Sequence, residues 1–516
     1  MGGMTLTALL EHVAVNAFRG GRDPVVSSLH YDSRTVRPGG LFVAIKGLKE
    51  NGNDYVADAV ARGAVAVVTE NEATAPSGTT IIRVENARSA LAALSAAYYG
   101  HPSRELFVIG ITGTNGKTTT AYLIESILGS AGYAVGVVGT VNTRFAGKVF
   151  NSAVTTPESL DLMRVMRQML DKGVTHVIVE VSSHALDLGR VSECEFDIGV
   201  FTNLSRDHLD YHGDMAAYWQ SKKRLFTRYL GSGAKRSQAV AVVNSDDPKG
   251  RELVDRVPVA CTRTGIFEPA DIQGLNIRTD LGGTEGRVRT PQGTFDFSTP
   301  LIGRHNVYNI LAATGVASAM GVSVTAIKAG IEALKGVPGR LESVENDAGI
   351  TVFVDYAHTP DALENILRTV KDLAIGRLIC VFGCGGDRDR EKRPMMGTVA
   401  GRLSDLVVLT NDNPRSERPE AILKDIEAGV VRVQREKLDP EAITKEKQWD
   451  RPGYTVEPDR RRAIALAIAV ARPGDTVVIA GKGHETYQLI GSETLSFDDR
   501  VEVQRALQEL SARDKG

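Results

Sequence analysis

Residues 113–121 read GTNGKTTTA, and glycines, a lysine and hydroxyls at that spacing are the makings of a phosphate cradle. Backbone N–H groups around Gly113, Thr114, Asn115 and Gly116, with the N-terminus of a following helix, would receive phosphate oxygens. Lys117 would reach the β and γ oxygens, and Thr118, followed by Thr119, could hold magnesium. A standard loop places a glycine five residues before Gly116, and Ile111 stands there instead, which argues against an ordinary kinase or GTPase.

Such a loop works only where a strand delivers it and a helix leaves it. LFVIGITGTNGKTTTAYLIESILGSAG supplies that order of strand, glycine turn and helix. The runs YAVGVVGT, THVIVEV, FDIGVFTN and AVAVVN follow, nearly continuous in apolar residues, so they predict strands buried on both faces of a doubly wound, largely parallel sheet. Upstream, DPVVSSLHYDSR, GGLFVAI, AVAVVTE and TTIIRV alternate with the amphipathic stretches DYVADAVARG and ARSALAALSAAYYG, a small α/β module. Downstream of VPGRLE a third alternation begins, with ITVFVDYAH, RLICVFGCGG, LVVLTNDNP and DTVVIAGKGHE. Each of these ends in Gly, Asp, Asn or His, where open α/β sheets bind ligands, although strand ends need turn residues in any case. Residues 431–459 are rich in charge without a sustained apolar period and read as a solvated excursion between helices.

A chain of 516 residues suggests about three domains at roughly 150 residues each. The boundaries are placed at 1–100, 101–337 and 338–516. A formal charge of −2 gives no concentrated basic face, so nucleic acid is not an expected partner. The N-terminal residues lack a basic head followed by an apolar stretch, and no apolar run reaches the length a bilayer needs, so a soluble cytoplasmic protein without membrane insertion is expected. Cys194, Cys261, Cys380 and Cys384 are too scattered for a disulfide scaffold or a paired zinc site and read as reduced, mostly buried thiols.

Six segments occur in order: TNGKTTT, TTP at 155–157, EVSSHAL at 180–186, FTNLSRDHLDYHG at 201–213, GRHNVYN at 303–309 and DYAHTPDAL at 355–363. Together they resemble the Mur ligase family, ATP-dependent amino-acid ligases of peptidoglycan precursor synthesis, and the resemblance covers essentially the whole chain. It implies a three-domain α/β architecture: an N-terminal UDP-sugar-binding domain, a central phosphate-loop parallel-sheet ATPase domain and a Rossmann-like C-terminal amino-acid-binding domain. It also implies ATP and magnesium as cofactors, an acyl phosphate intermediate, and a monomer.

The resemblance assigns roles residue by residue. Glu180 would join Thr118 on one magnesium, and His208 would help hold a second. Lys222 matches a lysine that relatives carry as a carbamate, which would turn an ammonium into an oxygen ligand for the metal; Lys223, adjacent, competes for that assignment. Lys117, Glu180, His208 and Lys222 thus form the implied catalytic set. Asn306 and Asn309 match adenine-binding positions, with helix capping as the alternative for Asn306. Arg340 and Asp355 match residues that reach ATP from the third domain.

For the second substrate, the family implies UDP-N-acetylmuramoyl-L-Ala-D-Glu. Tyr31, Ser33 and the GLKENG loop match uridine-binding positions, and Thr155, Thr156, Ser182 and Arg190 match contacts to the muramoyl dipeptide. Leu188 stands where some relatives carry a glutamine. Asp412, Asn413, Pro414 and Arg415 form the DNPR signature of members that add meso-diaminopimelate rather than L-lysine. An arginine fork would bind the extra carboxylate bidentately, a group that lysine lacks. Arg388, Gly481 and Glu485 match the rest of that pocket, with Glu485 suited to a distal ammonium. Three alternatives stay open on sequence: the same ligation with L-lysine, a related amide ligase such as folylpolyglutamate synthase or the D-Ala-D-Ala-adding ligase, and a silent nucleotide-binding subunit.

Overall fold

The computed structural model describes residues 3–20, 23–47, 50–72, 79–433, 435–446 and 451–513. Three large sheets follow one another along the chain. In the first, Val15–Arg19, Thr80–Val84, Ala64–Thr69, Gly40–Val43 and Ser28–His30 lie side by side in that order. Its pairings are parallel except at the Val15–Arg19 edge.

The second sheet has 11 strands. Its parallel centre places Phe107–Thr112 between His176–Glu180 and Ile198–Phe201, and all three strands are almost wholly buried. Helices Lys117–Ser130, Arg304–Ala319 and Val324–Ala333 cover one face with an apolar layer that includes Ile124, Ile127, Ile310 and Leu311. Ser159–Asp171 and Met215–Arg224 cover the other, around Met163, Met166 and Trp219. A strand inside two helical layers has no polar face, which is why these segments read as unbroken apolar runs.

The sheet is parallel through its centre, as expected, and antiparallel strands extend it at both ends. Asn142–Phe145 and Lys148–Asn151 form an antiparallel ribbon at one edge. Ile272–Asp280, Gly283–Thr290 and Gly293–Thr299 form an antiparallel meander at the other. The meander strands alternate buried and exposed residues, the pattern of a sheet with one wet face.

In the third sheet the order is Glu342–Ser343, Thr351–Asp355, Thr476–Ala480, Leu378–Phe382, Leu406–Leu409, Gly453–Val456 and Glu436–Lys437. Every pairing is parallel except that of Glu342–Ser343. The excursion at 431–459 is therefore not wholly solvated. Gly453–Val456 is largely buried and extends the sheet beside Leu406–Leu409, while Gln434 and residues 447–450 lie outside the described residues. The four cysteines are free thiols, three of them buried. Among the described residues no helix is long and apolar enough to cross a membrane.

Candidate active site

The strand Phe107–Thr112 releases the loop at its carboxyl end, and the helix Lys117–Ser130 leaves it. Gly113 and Gly116 have φ of +150° and +87°. A Cβ on the first would collide with the Thr202 hydroxyl and on the second with Asn309 Oδ1, so both positions require glycine for conformation and for space. The loop is tied from behind by Asn203, whose carbonyl accepts from Thr114 N at 2.9 Å and whose Oδ1 accepts from Asn115 N at 3.0 Å. Those two N–H groups, expected to face phosphate, are thus engaged inside the fold. At the first turn of the helix, N–H groups lack intrahelical partners and stay available.

Lys117 folds back over the loop, its Nζ donating to the carbonyls of Gly113 at 2.9 Å and Thr114 at 2.8 Å. Lys222 is 1% exposed, and its Nζ donates to the same Gly113 carbonyl at 2.8 Å. Burial lowers the pKa of both lysines; the effect on Lys222 is large, and nearby Lys117 adds to it. Lys223, adjacent in sequence, is only half-buried, whereas Lys222 reaches the loop.

Glu180, at the end of His176–Glu180, accepts from Thr118 Oγ1 at 3.0 Å, from Thr140 N at 3.1 Å and from Thr140 Oγ1 at 2.8 Å. Arg340 reaches in from beyond the central sheet, its Nη2 donating to Thr118 Oγ1 at 3.3 Å. Its turn is pinned by Asp355, which accepts from the N–H groups of Leu341 and Ala357, both at 2.7 Å. Burial raises the Asp355 pKa against the opposing pull of Arg340. His208 sits at φ +55° with Nε2 3.4 Å from Asp207 Oδ2 and its ring edge-on to His184. Burial pushes His208 down to about 4 although Asp207 opposes, so the imidazole is neutral near pH 7.

Asn306 lies inside the helix Arg304–Ala319 and does not cap it; its Nδ2 donates to Ile302 O at 2.8 Å. Its Oδ1 accepts from Asn309 Nδ2 at 3.0 Å, and Asn309 Oδ1 accepts from Thr120 at 3.3 Å. The pair therefore braces the loop helix as well as lining the cleft. That cleft, of about 540 Å³, gathers Thr114 to Thr119, Asn306, Asn309, Arg340 and Asp355.

A second cleft of about 1010 Å³ gathers Thr155, Thr156, Ser182, Leu188 and Arg190 from the central sheet and Arg388, Asp412, Asn413, Arg415, Gly481 and Glu485 from the third. Thr156 Oγ1 bonds the Glu180 carbonyl at 2.8 Å, and Arg190 donates to Thr156 O and to Glu158, each at 3.0 Å. Arg415, at φ +51°, donates from Nη1 to Gly386 O at 2.8 Å, and Pro414 stays out of the lining. Arg388 is exposed, its Nη1 on Asp387 O at 3.1 Å. Gly481, at φ +117°, holds Asp355 O through its N–H. Glu485 accepts from Asn413 Nδ2 at 2.8 Å, and burial raises its pKa, with Asp412 adding to the rise.

The first sheet carries a separate cavity of about 660 Å³ lined by Tyr31. The Tyr31 hydroxyl donates to Asp161 Oδ2 at 2.6 Å on the helix Ser159–Asp171, so it also ties the first sheet's unit to the central one. Ser33 is buried outside that lining and bonds Asp58. Leu48 and Lys49 of the GLKENG loop lie outside the described residues.

Sequence reasoning passed over several neighbours. Thr140, Asn203, Asp207, His358 and Lys482 stand inside quoted segments without being singled out, whereas Glu158 lies outside all of them.

The chain matches the family model described as "Mur ligase family, catalytic domain" over residues 25–99, "Mur ligase middle domain" over 111–317 and "Mur ligase, glutamate ligase domain" over 339–483. It is 49% identical over 492 residues to the UDP-N-acetylmuramoyl-L-alanyl-D-glutamate--2,6-diaminopimelate ligase of Geobacter metallireducens, covering 95% of this chain and 96% of that one. The enzyme of the same name from Bacillus licheniformis is 44% identical, with 98% and 100% covered. A solved structure of a ligase of that name superposes with a TM-score of 0.67 at 32% identity over 99% of both chains. The MurF ligase of Thermotoga maritima in complex with ADP, at 19% identity and a TM-score of 0.62, covers 94% of this chain and 98% of that one and shares the fold. With three family models in succession and relatives close to half identical over nearly their whole length, this chain belongs to the Mur ligase family.

Proposed function

We propose that the protein uses ATP to join meso-2,6-diaminopimelate to UDP-N-acetylmuramoyl-L-alanyl-D-glutamate, forming a peptidoglycan tripeptide precursor. The observation that carries this reading is the junction of the two clefts: Thr155, Ser182, Asp207, His208, Tyr356 and His358 line both. A nucleotide in the first and a carboxylate in the second would meet there. The reading divides the chain into a UDP-sugar unit at 1–100, an ATP unit at 101–337 and an amino-acid unit at 338–516.

In the first step the γ-phosphoryl group passes to an oxygen of the substrate carboxylate and ADP leaves. The amine then attacks the acyl carbon, and the tetrahedral intermediate expels phosphate with loss of the amine's proton. Phosphoryl transfer between anions is limited by charge and alignment, which cations and fixed donors supply. Lys117 is placed to swing from the Gly113 and Thr114 carbonyls onto phosphate oxygens, and Arg340 to cover the opposite side.

The Thr118 hydroxyl and Glu180 carboxylate, 3.0 Å apart, are hard oxygen donors of the kind magnesium takes. Bound there, magnesium would neutralise charge on the phosphates. Lys222, desolvated and crowded by Lys117, favours the free amine, the form that takes up carbon dioxide. Its nitrogen would add to the carbon with loss of one proton, giving a carbamate. The carbamate would replace repulsion from Lys117 with attraction and add an oxygen donor, with His208 beside it.

Arg415 fits the carboxylate that diaminopimelate carries beyond lysine, and Glu485 the distal ammonium. An oxygen-18 label in the dipeptide carboxylate tests the intermediate. The acyl phosphate route carries one labelled oxygen into released phosphate, whereas unlabelled phosphate would refute it.

A further inference from the structure

We propose that Lys482 is the positioning residue of the amino-acid pocket, fixing the orientation of the Asn413 amide and the place of the Glu485 carboxylate. Its side chain is wholly buried, and its polar partners all belong to that pocket. Nζ donates to Asn413 Oδ1 at 3.0 Å, lies 3.3 Å from Glu485 Oε2 and 3.5 Å from Asp412 Oδ1, and sits over the Tyr487 ring at 5.6 Å.

The hydrogen-bond pattern locks the pocket in one sense. Asn413 Oδ1 accepts twice, from Lys482 Nζ and from Leu489 N at 2.9 Å, while its Nδ2 donates to Glu485 Oε2 at 2.8 Å. A flipped amide would turn its NH2 toward an ammonium and a backbone N–H, and its oxygen toward a carboxylate, losing three bonds together. Lys482 supplies the charged member of that set. Arg460, the nearby buried guanidinium, is taken by Asp499 at 2.7 Å and by the carbonyls of Asn411 and Ala480.

Charge gives the second argument. Asp412 and Glu485 face one space, and the Lys482 ammonium between them leaves the trio with one net negative charge, which an incoming ammonium would balance. Without Lys482 two carboxylates would share a buried site that cannot hold both ionised. One would take a proton, and the place reserved for the substrate's ammonium would be lost. Lys482 acts through Asn413 and Glu485, touching no reacting atom.

This inference rests on the proposed reaction, so wild-type turnover with diaminopimelate is the control, and its absence would refute that reaction and not this role. Steady-state kinetics of Lys482→Met are expected to raise KM for diaminopimelate by about ten- to a hundredfold, the scale of a lost hydrogen bond to a charged group. KM for ATP and for the UDP-dipeptide should stay within about twofold, since neither cleft wall in question touches Lys482. Should that variant not fold, as thermal unfolding would reveal, Lys482→Gln carries the test, because its amide keeps a donor without the charge. An unchanged KM for diaminopimelate, or an equal rise in all three constants, would overturn the positioning role.

Discussion

Lys117 and Lys222 meet on one atom: the Gly113 carbonyl accepts from both ammonium groups, at 2.9 Å and 2.8 Å. Two like charges on a single acceptor repel, and that repulsion adds to the desolvation of buried Lys222 in favouring its uncharged amine. The glycine that makes the phosphate loop possible is thus also where the second lysine is held.

Lys222→Ala should therefore lower kcat by at least about a hundredfold, the scale on which one preorganised charged group acts. Added acetate or formate should restore part of that loss by standing in for the carbamate. Full activity in the variant would remove Lys222 from the site.

Arg415→Ala should raise KM for diaminopimelate by about a hundredfold, because it leaves a substrate carboxylate without its fork. KM for ATP should hardly move, since Arg415 lines the second cleft and not the first. Equal effects on both constants would contradict the pocket assignment.

Glu180→Gln keeps the shape of the side chain but turns an amide NH2 either toward Thr140 N or toward the Thr118 and Thr140 hydroxyls together. Activity should fall about a hundredfold, and the magnesium concentration for half-activation should rise. A magnesium titration superposing on the wild type would rule out this carboxylate as a ligand.

Glu417 yields a prediction of stability against pH. The Arg393 guanidinium, wholly buried and 2.8 Å away, holds the Glu417 carboxyl at about 2, below its usual 4.5. A depressed folded-state value stabilises the fold above the unfolded value, and the contribution fades as pH falls from 4.5 toward 2. Urea unfolding should show wild type more stable than Glu417→Gln at pH 7, with the gap narrowing below about pH 4.5. A gap that stays constant would contradict the ion pair's role.

Much of the centre was legible in the sequence because buried parallel strands announce themselves as apolar runs, and LFVIGI, THVIVEV and FDIGVFTN all lie side by side in the large sheet. The meander at 272–299 stands out less, although Gly282 and Gly283 and the PQG turn mark its bends, since an alternating strand has weaker contrast than a continuous one. Gly453–Val456 hid within a charged stretch because only four residues enter the sheet. At the site, the quoted motifs contain Lys117, Glu180 and Arg415. They did not reveal that Asn203 occupies two loop N–H groups or that Lys482 holds Asn413, since contacts between segments 88 and 69 residues apart leave no local pattern.

The central expectation is that one site activates the dipeptide carboxylate and selects diaminopimelate. Its most direct test is phosphate release by the purified protein with ATP, magnesium and UDP-N-acetylmuramoyl-L-Ala-D-Glu, comparing meso-diaminopimelate, L-lysine and no amino acid. Release with diaminopimelate alone, matched mole for mole by tripeptide product, is the predicted result. Equal release with lysine would contradict selection by Arg415, and no release with any of the three would contradict the ligase reading.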